Sequence, residues 1–278
     1  MIQHYLKYLI KAKDEHSIHS PFVFELYCRV IKSSKSKYFQ LVRMIPDDAN
    51  TPRNIEGNQS LFAQIEQLRK SLLHNTSSIT ITDFGAGSRV YKNNQRTIGQ
   101  IARSAQKPSK FGQLLYRLVK FFQPQVIFDL GTSLGLTTLY QAHGNPQAQV
   151  FTFEGCPQTA AYAQKHFEQL QANNITLVIG NLNETLQNQI EQVPQIDFAF
   201  FDANHRYEPT IQYFEACLNK ATASSLFVFD DIHWSSEMYQ AWQYIKAHPK
   251  VFITIDLFFV GLVFFRNKQP KQHFTLKF

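Results

Sequence analysis

The stretch VIFDLGTSLGLTTLYQ, residues 126–141, decides the architecture. An apolar run ends in a carboxylate, Asp129, and glycines follow at 131 and 135. A short run this rich in β-branched and aromatic side chains reads as a strand buried on both faces. Glycine then lets the backbone turn where a side chain would collide. Such a turn is either a plain connection or the place where a ligand lies across the chain.

Working outward, the same unit repeats toward the C-terminus. Apolar runs VIFDL (126–130), VFTFE (150–154), ITLVIG (175–180), IDFAFFD (196–202) and LFVFDD (226–231) alternate with polar stretches. The intervening segments QTAAYAQKHFEQLQ, NETLQNQIEQ and PTIQYFEACLNKA space their apolar residues three and four apart, as helices do. Nearly continuous apolar strands separated by helices predict a parallel sheet covered on both faces, an α/β doubly wound fold. VFITIDLFFVGLVFFRN (251–267) leaves almost nothing between two further strands, so the last of them must run antiparallel.

The N-terminal part is less regular. Residues 2–12 read as a short amphipathic helix, and Ser20-Pro21 as an N-cap with proline at the first helical position, opening FVFELYCRVIK. Residues 46–56 read as loop, SLFAQIEQLRKSLL as helix and SITITDF as a short strand. HSIHSPFVFELY, with His16 and His19, predicts a helix docked on the core, with a lid over the acceptor as the alternative.

Composition narrows the class. At 44% hydrophobic residues with 25 Phe, the chain can build a large aromatic core and is not a disordered segment. The net charge of +7 is modest for 278 residues, and the basic cluster KSSKSK (32–37) reads as a solvated face. Cys28, Cys156 and Cys217 are far apart with no C-x-x-C pair, which argues against a zinc site or a disulfide framework and for a reducing cytoplasm. The start does not read as a signal peptide, and Val251–Phe265 is too short to span a bilayer.

Two glycine turns compete for a ligand, DFGAGSR (83–89) and the one after VIFDL. A nucleoside-binding unit needs strand, glycine turn, helix and second strand, with an acid at that strand's end for the ribose hydroxyls. Only the second turn supplies this, because VFTFE ends at Glu154, 19 residues after Gly135. The spacing is G-x-x-x-G rather than the closely spaced dinucleotide pattern that cradles a pyrophosphate. A cofactor with ribose and adenine but no phosphate fits, and S-adenosylmethionine is the one expected. Its binding residues would be Asp129 near the cationic methionyl end, the turn residues Gly131, Thr132, Ser133 and Gly135, Glu154 with Gly155, and Asp202.

Asp202, Asp230 and Asp231 end two of the predicted parallel strands, the edge where open α/β sheets bind ligands. Asp230 and Asp231 converge only if the strand stops between them, since adjacent side chains on a strand point to opposite faces. Three carboxylates so placed repel unless a cation is present, and hard oxygen ligands suit Mg²⁺ or Mn²⁺. Such an ion would bind an acceptor hydroxyl beside the methyl group, and His205 would take the proton. The rival expectation is that these acids are solvated, or that Asp231 caps the helix starting near Ser235. His233, beside Trp234, reads equally as a pocket residue or a structural one.

From Lys110 to about Trp234 the chain resembles the class I S-adenosylmethionine-dependent methyltransferases. Within them it is most similar to the metal-dependent O-methyltransferases of the catechol type and their relatives acting on sugars and natural products. The residues that carry this are KFGQLL (110–115), DLGTSLGLTT (129–138), FEG (153–155), IGN (179–181), FFDANHRYE (200–208) and VFDD (228–231). The resemblance implies a Rossmann-like, mainly parallel seven-stranded sheet with a final antiparallel strand. It implies ribose binding by Glu154, adenine near Asn181, and metal ligation by Asp202, Asp230 and Asp231. Catechol-type enzymes carry a lysine base shortly after the fourth-strand acid. The D-x-x-H-x-Y form, Asp202 to Tyr207, instead matches the sugar and antibiotic relatives and makes His205 the base.

The expected layout is an N-terminal helical segment (1–45), an irregular α/β extension able to act as a lid (46–109) and the cofactor-binding domain (110–278). The expected partner is a small-molecule or glycan acceptor, with homodimers allowed and neither nucleic acid nor membrane involved. The rival readings are an RNA methyltransferase, disfavoured by the lack of an N/D-P-P-Y motif and of aromatic RNA-stacking signals, and a non-catalytic protein that keeps the fold.

Overall fold

The computed structural model describes residues 2–32, 58–82 and 94–278. The glycine turn at 83–89, the loop at 46–56 and most of the KSSKSK cluster lie outside the described residues.

An eight-stranded sheet forms the centre. Its strands are β3 (Val126–Leu130), β4 (Gln149–Glu154), β5 (Ile175–Ile179), β6 (Phe198–Phe201), β7 (Leu226–Asp230), β8 (Ile253–Asp256), β9 (Val260–Phe264) and β10 (Gln272–Thr275), in the order β10-β8-β9-β7-β6-β3-β4-β5. β9 is the reversed strand, antiparallel to both β7 and β8. The sheet does not finish there, as the sequence pattern suggested. β10 returns to lie parallel to β8, in a segment too polar to read as a strand. A separate antiparallel pair, β1 (Ser78–Thr80) with β2 (Gln95–Thr97), stands apart from this sheet.

The aromatic content fills both faces. Phe128, Phe201, Phe227 and Phe229 pack on one side with Phe214 and Trp242, while Ile127, Phe198, Phe200 and Val228 pack on the other. Each such Phe, taken wholly out of water, contributes roughly 2–3 kcal/mol before entropy is counted. The period-two alternation within FAFF and LFVFD sends neighbouring side chains into opposite cores, which fixes the register.

The helices between strands are Leu136–Gly144, Pro157–Gln169, Leu182–Glu191, Tyr207–Leu218 and Ser236–Ala247. Ahead of β3 come Ile98–Ala105 and Ser109–Phe122, and before them Gln59–Leu73. At the N-terminus Ile2–Lys11 is helical, and Pro21–Leu26 runs into a π-helical turn at Tyr27–Ile31. Ser20 Oγ accepts the Val23 N–H, as a cap before Pro21 should. This segment docks on the core: Val23, Leu26, Tyr27, Cys28 and Val30 are fully buried, and Arg117 Nε donates to the Val30 carbonyl at 2.7 Å. His16 and His19 stay on its exposed side.

From β3 the chain winds outward through β4 to β5, then returns to place β6 on the other flank of β3. Strand order therefore reverses between β3 and β6, and a crevice opens above their carboxyl ends. Among the described residues no helix is long and apolar enough to cross a membrane.

Candidate active site

The turn after β3 is the pivot. Gly131 takes φ +118°, and a Cβ there would sit 2.5 Å from the Asp202 carbonyl oxygen. Glycine is required because the ends of β3 and β6 approach this closely. Gly135 has φ +81°, but a Cβ on it would meet the Phe167 ring at 2.6 Å. It lines neither cavity of the crevice and packs closely against Phe167 and Ala163 of the helix at 157–169.

A cavity of about 250 Å³ opens beside this turn, lined by Gly131, Ser133, Phe153, Glu154, Gly155, Gly180, Asn181, Leu182, Asn204 and Tyr213 among others. Glu154 ends β4 at its rim, and its carboxylate accepts the backbone N–H of Ser133 at 2.8 Å and of Cys156 at 2.9 Å. A carboxylate is an acceptor of the kind that vicinal ribose hydroxyls donate to. Asn181 caps the helix at 182–191 by accepting the Asn183 N–H. The cavity thus offers a carboxylate at one end, apolar walls at Phe153 and Leu182, and an amide at the cap. That donor and acceptor set suits a ribose and an adenine. The helix at 98–105 closes the far side with Ile101, Ser104 and Ala105. Sequence pattern foresaw neither this helix nor these residues.

Asp129 is not part of this cavity. It is fully buried, and its carboxylate accepts Thr138 Oγ1 at 2.5 Å, Thr152 Oγ1 at 2.8 Å and Gln141 Nε2 at 3.0 Å. Burial raises it above the ordinary carboxylate range against the pull of those three donors. The expected contact with a methionyl group is therefore corrected: Asp129 ties β3, β4 and the next helix together from inside. Thr132 joins the same network, its hydroxyl 2.6 Å from Thr152 Oγ1.

On the opposite flank of Gly131 the strand-end acids converge. β7 stops at Asp230, and Asp231 takes φ +52°, which turns its side chain back toward its neighbour. Asp tolerates this left-handed conformation better than most residues. The helix cap is Ser235, whose Oγ accepts the Met238 N–H, so Asp231 is left to the cluster. After β6 the chain turns through Asn204 and His205, both at positive φ, which carries the imidazole over the acids. His205 Nε2 lies 3.3 Å from Asp202 Oδ1, 3.6 Å from Asp230 Oδ2 and 3.9 Å from Asp231 Oδ2.

A fifth member had no sequence signal. The Lys107 ammonium is ion-paired with Asp230 Oδ2 and lies 3.3 Å from Asp231 Oδ2. It lines a smaller cavity with Gly131, Ser133, Tyr140 and Asp202. Burial alone would lower this ammonium, yet Asp202, Asp230 and Asp231 hold it well above the ordinary lysine range. Burial likewise works against the His205 imidazolium, but hydrogen bonds and charge from Asp202 and Asp230 win and push it up to about 10. Asp230 and Asp231 are both raised, chiefly by burial and then by the neighbouring acid.

Asp202, His205 and Asp230 each offer a ligand atom, all within 4.8 Å of one another, so in donor type they suit a divalent ion. The Lys107 ammonium is paired with two of the acids that Mg²⁺ or Mn²⁺ would need. The expected metal set of Asp202, Asp230 and Asp231 is thus brought together, but around an ammonium. His233 lies outside the cavities, with Nε2 2.8 Å from Asp256 Oδ2 and its ring stacked on Phe258.

Residues 128–232 match a methyltransferase-domain family. Over 124 residues the chain is 27% identical to a catechol O-methyltransferase of Niastella koreensis, an alignment covering 44% of this chain and 55% of that one. The chain thus spans about half the length of the curated relative it matches. In structure it is similar to an O-methyltransferase from Bacillus cereus in complex with SAH, with TM-score 0.53 and 19% identity over 81% of this chain and 96% of that one. Cofactor-bound Rv0187 from MTB gives TM-score 0.56 and 18% identity over 79% and 99%. The fold is that of the class I O-methyltransferases.

Proposed function

We propose that this chain transfers the methyl group of S-adenosylmethionine to a hydroxyl of a small-molecule or glycan acceptor. The observation that carries the reading is the placement of two chemistries on either side of Gly131. Glu154 and its cavity suit an adenosine, and the Asp202–His205–Lys107 cluster suits an oxygen nucleophile.

Bound here, the cofactor would supply an electrophilic methyl on a sulfonium, open to displacement by an acceptor oxygen with the electron pair of the C–S bond left on sulfur. The protein's share is positioning and proton removal, since in-line displacement gains most from correct alignment. Glu154 would hold the ribose, Asn181 and Leu182 the base, and the backbone of Gly131 and Ser133 the approach to the reacting end. His205 Nε2 is the atom we assign to the acceptor's proton. It must first yield its own, and a bound sulfonium would favour that loss by adding positive charge. A divalent ion at Asp202, His205 and Asp230 would need Lys107 to leave, so no step is assigned to one.

Calorimetry with S-adenosylhomocysteine tests the reading directly. Wild type should bind, and Glu154→Ala should weaken binding by about 30-fold or more, the loss of two charge-assisted hydrogen bonds. No detectable binding by wild type at millimolar ligand would remove the proposal. Methyl transfer from radiolabelled cofactor to a panel of phenolic and sugar hydroxyls then identifies the acceptor class.

A further inference from the structure

We propose that Lys107 is the resident cation of the acceptor site and stands where a divalent ion would otherwise bind. The inference rests on the methyl-transfer reading for its purpose, but on geometry for its content.

Lys107 does not reach the acids from a loose loop. It sits between the helix at 98–105 and the one at 109–122, with Gln106 N–H bonded to the Ala102 carbonyl and Pro108 as the following N-cap. Proline fixes its own φ and restricts the residue before it, so the backbone at Lys107 has little choice. From there the side chain crosses to the carboxyl end of β7. Its ammonium contacts Asp230, which is 2% exposed, while Lys107 itself is 21% exposed.

Charge counting supports the assignment. Asp202, Asp230 and Asp231 are three acids facing one pocket, and the Lys107 ammonium stands paired with two of them. Without Lys107 the pocket would hold an excess of negative charge that suits a divalent ion. With it, a second cation would stand within a few ångströms of an ammonium, and like charges so close in a partly dry pocket repel strongly. The two occupants exclude each other. An ammonium has three donors. Asp230 and Asp231 take two of them, and the third is available to the cavity shared with Gly131 and Ser133. There it can hold the acceptor oxygen as negative charge develops on it, the service a metal would give.

The test is a Mn²⁺ titration of the full chain, followed by electron paramagnetic resonance of free Mn²⁺, with and without S-adenosylhomocysteine. Wild type should leave Mn²⁺ free at concentrations where Lys107→Met captures one ion per chain, a difference of about tenfold or more in affinity. Adding Asp202→Asn to Lys107→Met should abolish the capture, and Lys107→Arg should keep Mn²⁺ out. Lys107→Gln repeats the arm if the methionine variant does not fold. Stoichiometric Mn²⁺ binding by wild type at micromolar concentration overturns the proposal without any variant, and so does a neutral variant that binds no better than wild type. Failure of S-adenosylhomocysteine to bind would instead strike the methyl-transfer reading, because the metal arm is read without it as well.

Discussion

Lys107 and Asp230 form an ion pair that joins the linker ahead of the first core helix to the end of a strand on the far side of the sheet's switch point. Asp230 is nearly without solvent, so its charge depends on that ammonium and on His205, 3.6 Å away. Asp230→Ala should therefore lower stability by roughly 2–4 kcal/mol, because it removes the most deeply buried partner of the Lys107 ammonium. Asp231→Ala should cost less, since Asp231 is 19% exposed and water can take its place. Urea unfolding of the two variants checks the order, and equal losses would mean that the cluster is more solvated than it looks.

Asp129 gives a second prediction, of stability and not of ligand binding. Asp129→Ala would leave the Thr138 and Thr152 hydroxyls and the Gln141 amide without their buried acceptor. Lost acceptors of this kind cost about 1–3 kcal/mol each, so a total near 3 kcal/mol or more is expected. Chemical denaturation measures it. A variant as stable as wild type would mean that water fills the space and that the network is not sealed.

The strands were legible because each is a continuous apolar run, and Glu154 because it stands in register with a glycine turn. Asp202, Asp230 and Asp231 were legible as strand-end acids. What they face was not. Lys107 lies 124 residues from Asp231 in the chain and is one lysine among several, with nothing local to mark it. Asp129 misled because Thr138 and Gln141 look like ordinary helix polar residues. Only the fold shows that this face turns inward onto the strand end. β10 escaped because QHFT carries no apolar run; an edge strand needs only one good neighbour.

Acid should loosen the N-terminal segment. Glu15 is 4% exposed and ion-paired with Lys32 at 2.8 Å. Burial would raise its carboxyl, but Lys32 prevails and holds it below the ordinary 4.5. A carboxyl depressed on folding contributes stability above its unfolded pKa and loses it as pH falls through the folded value. Glu15→Gln should thus be less stable than wild type near pH ~6, and the gap should narrow as pH falls below the ordinary carboxylate value and on through the lower folded one. Unfolding midpoints across that range give the comparison, and a gap that persists in acid would point to packing rather than charge.

Gly131→Ala tests the pivot itself. The added carbon would lie 2.5 Å from the Asp202 carbonyl oxygen, in a backbone conformation that side chains rarely adopt. Backbone cannot swing aside as a lysine tip can. Either the paired ends of β3 and β6 separate, against the Asp202 N–H bond to the Leu130 carbonyl, or the turn rebuilds. Both routes displace the Ser133 N–H from Glu154. The expected result is a loss of roughly 2–4 kcal/mol in stability, and of about 100-fold or more in S-adenosylhomocysteine affinity. Calorimetry on protein shown to be folded by circular dichroism separates the two effects. A folded Gly131→Ala that keeps its affinity would place the nucleoside somewhere other than beside this turn.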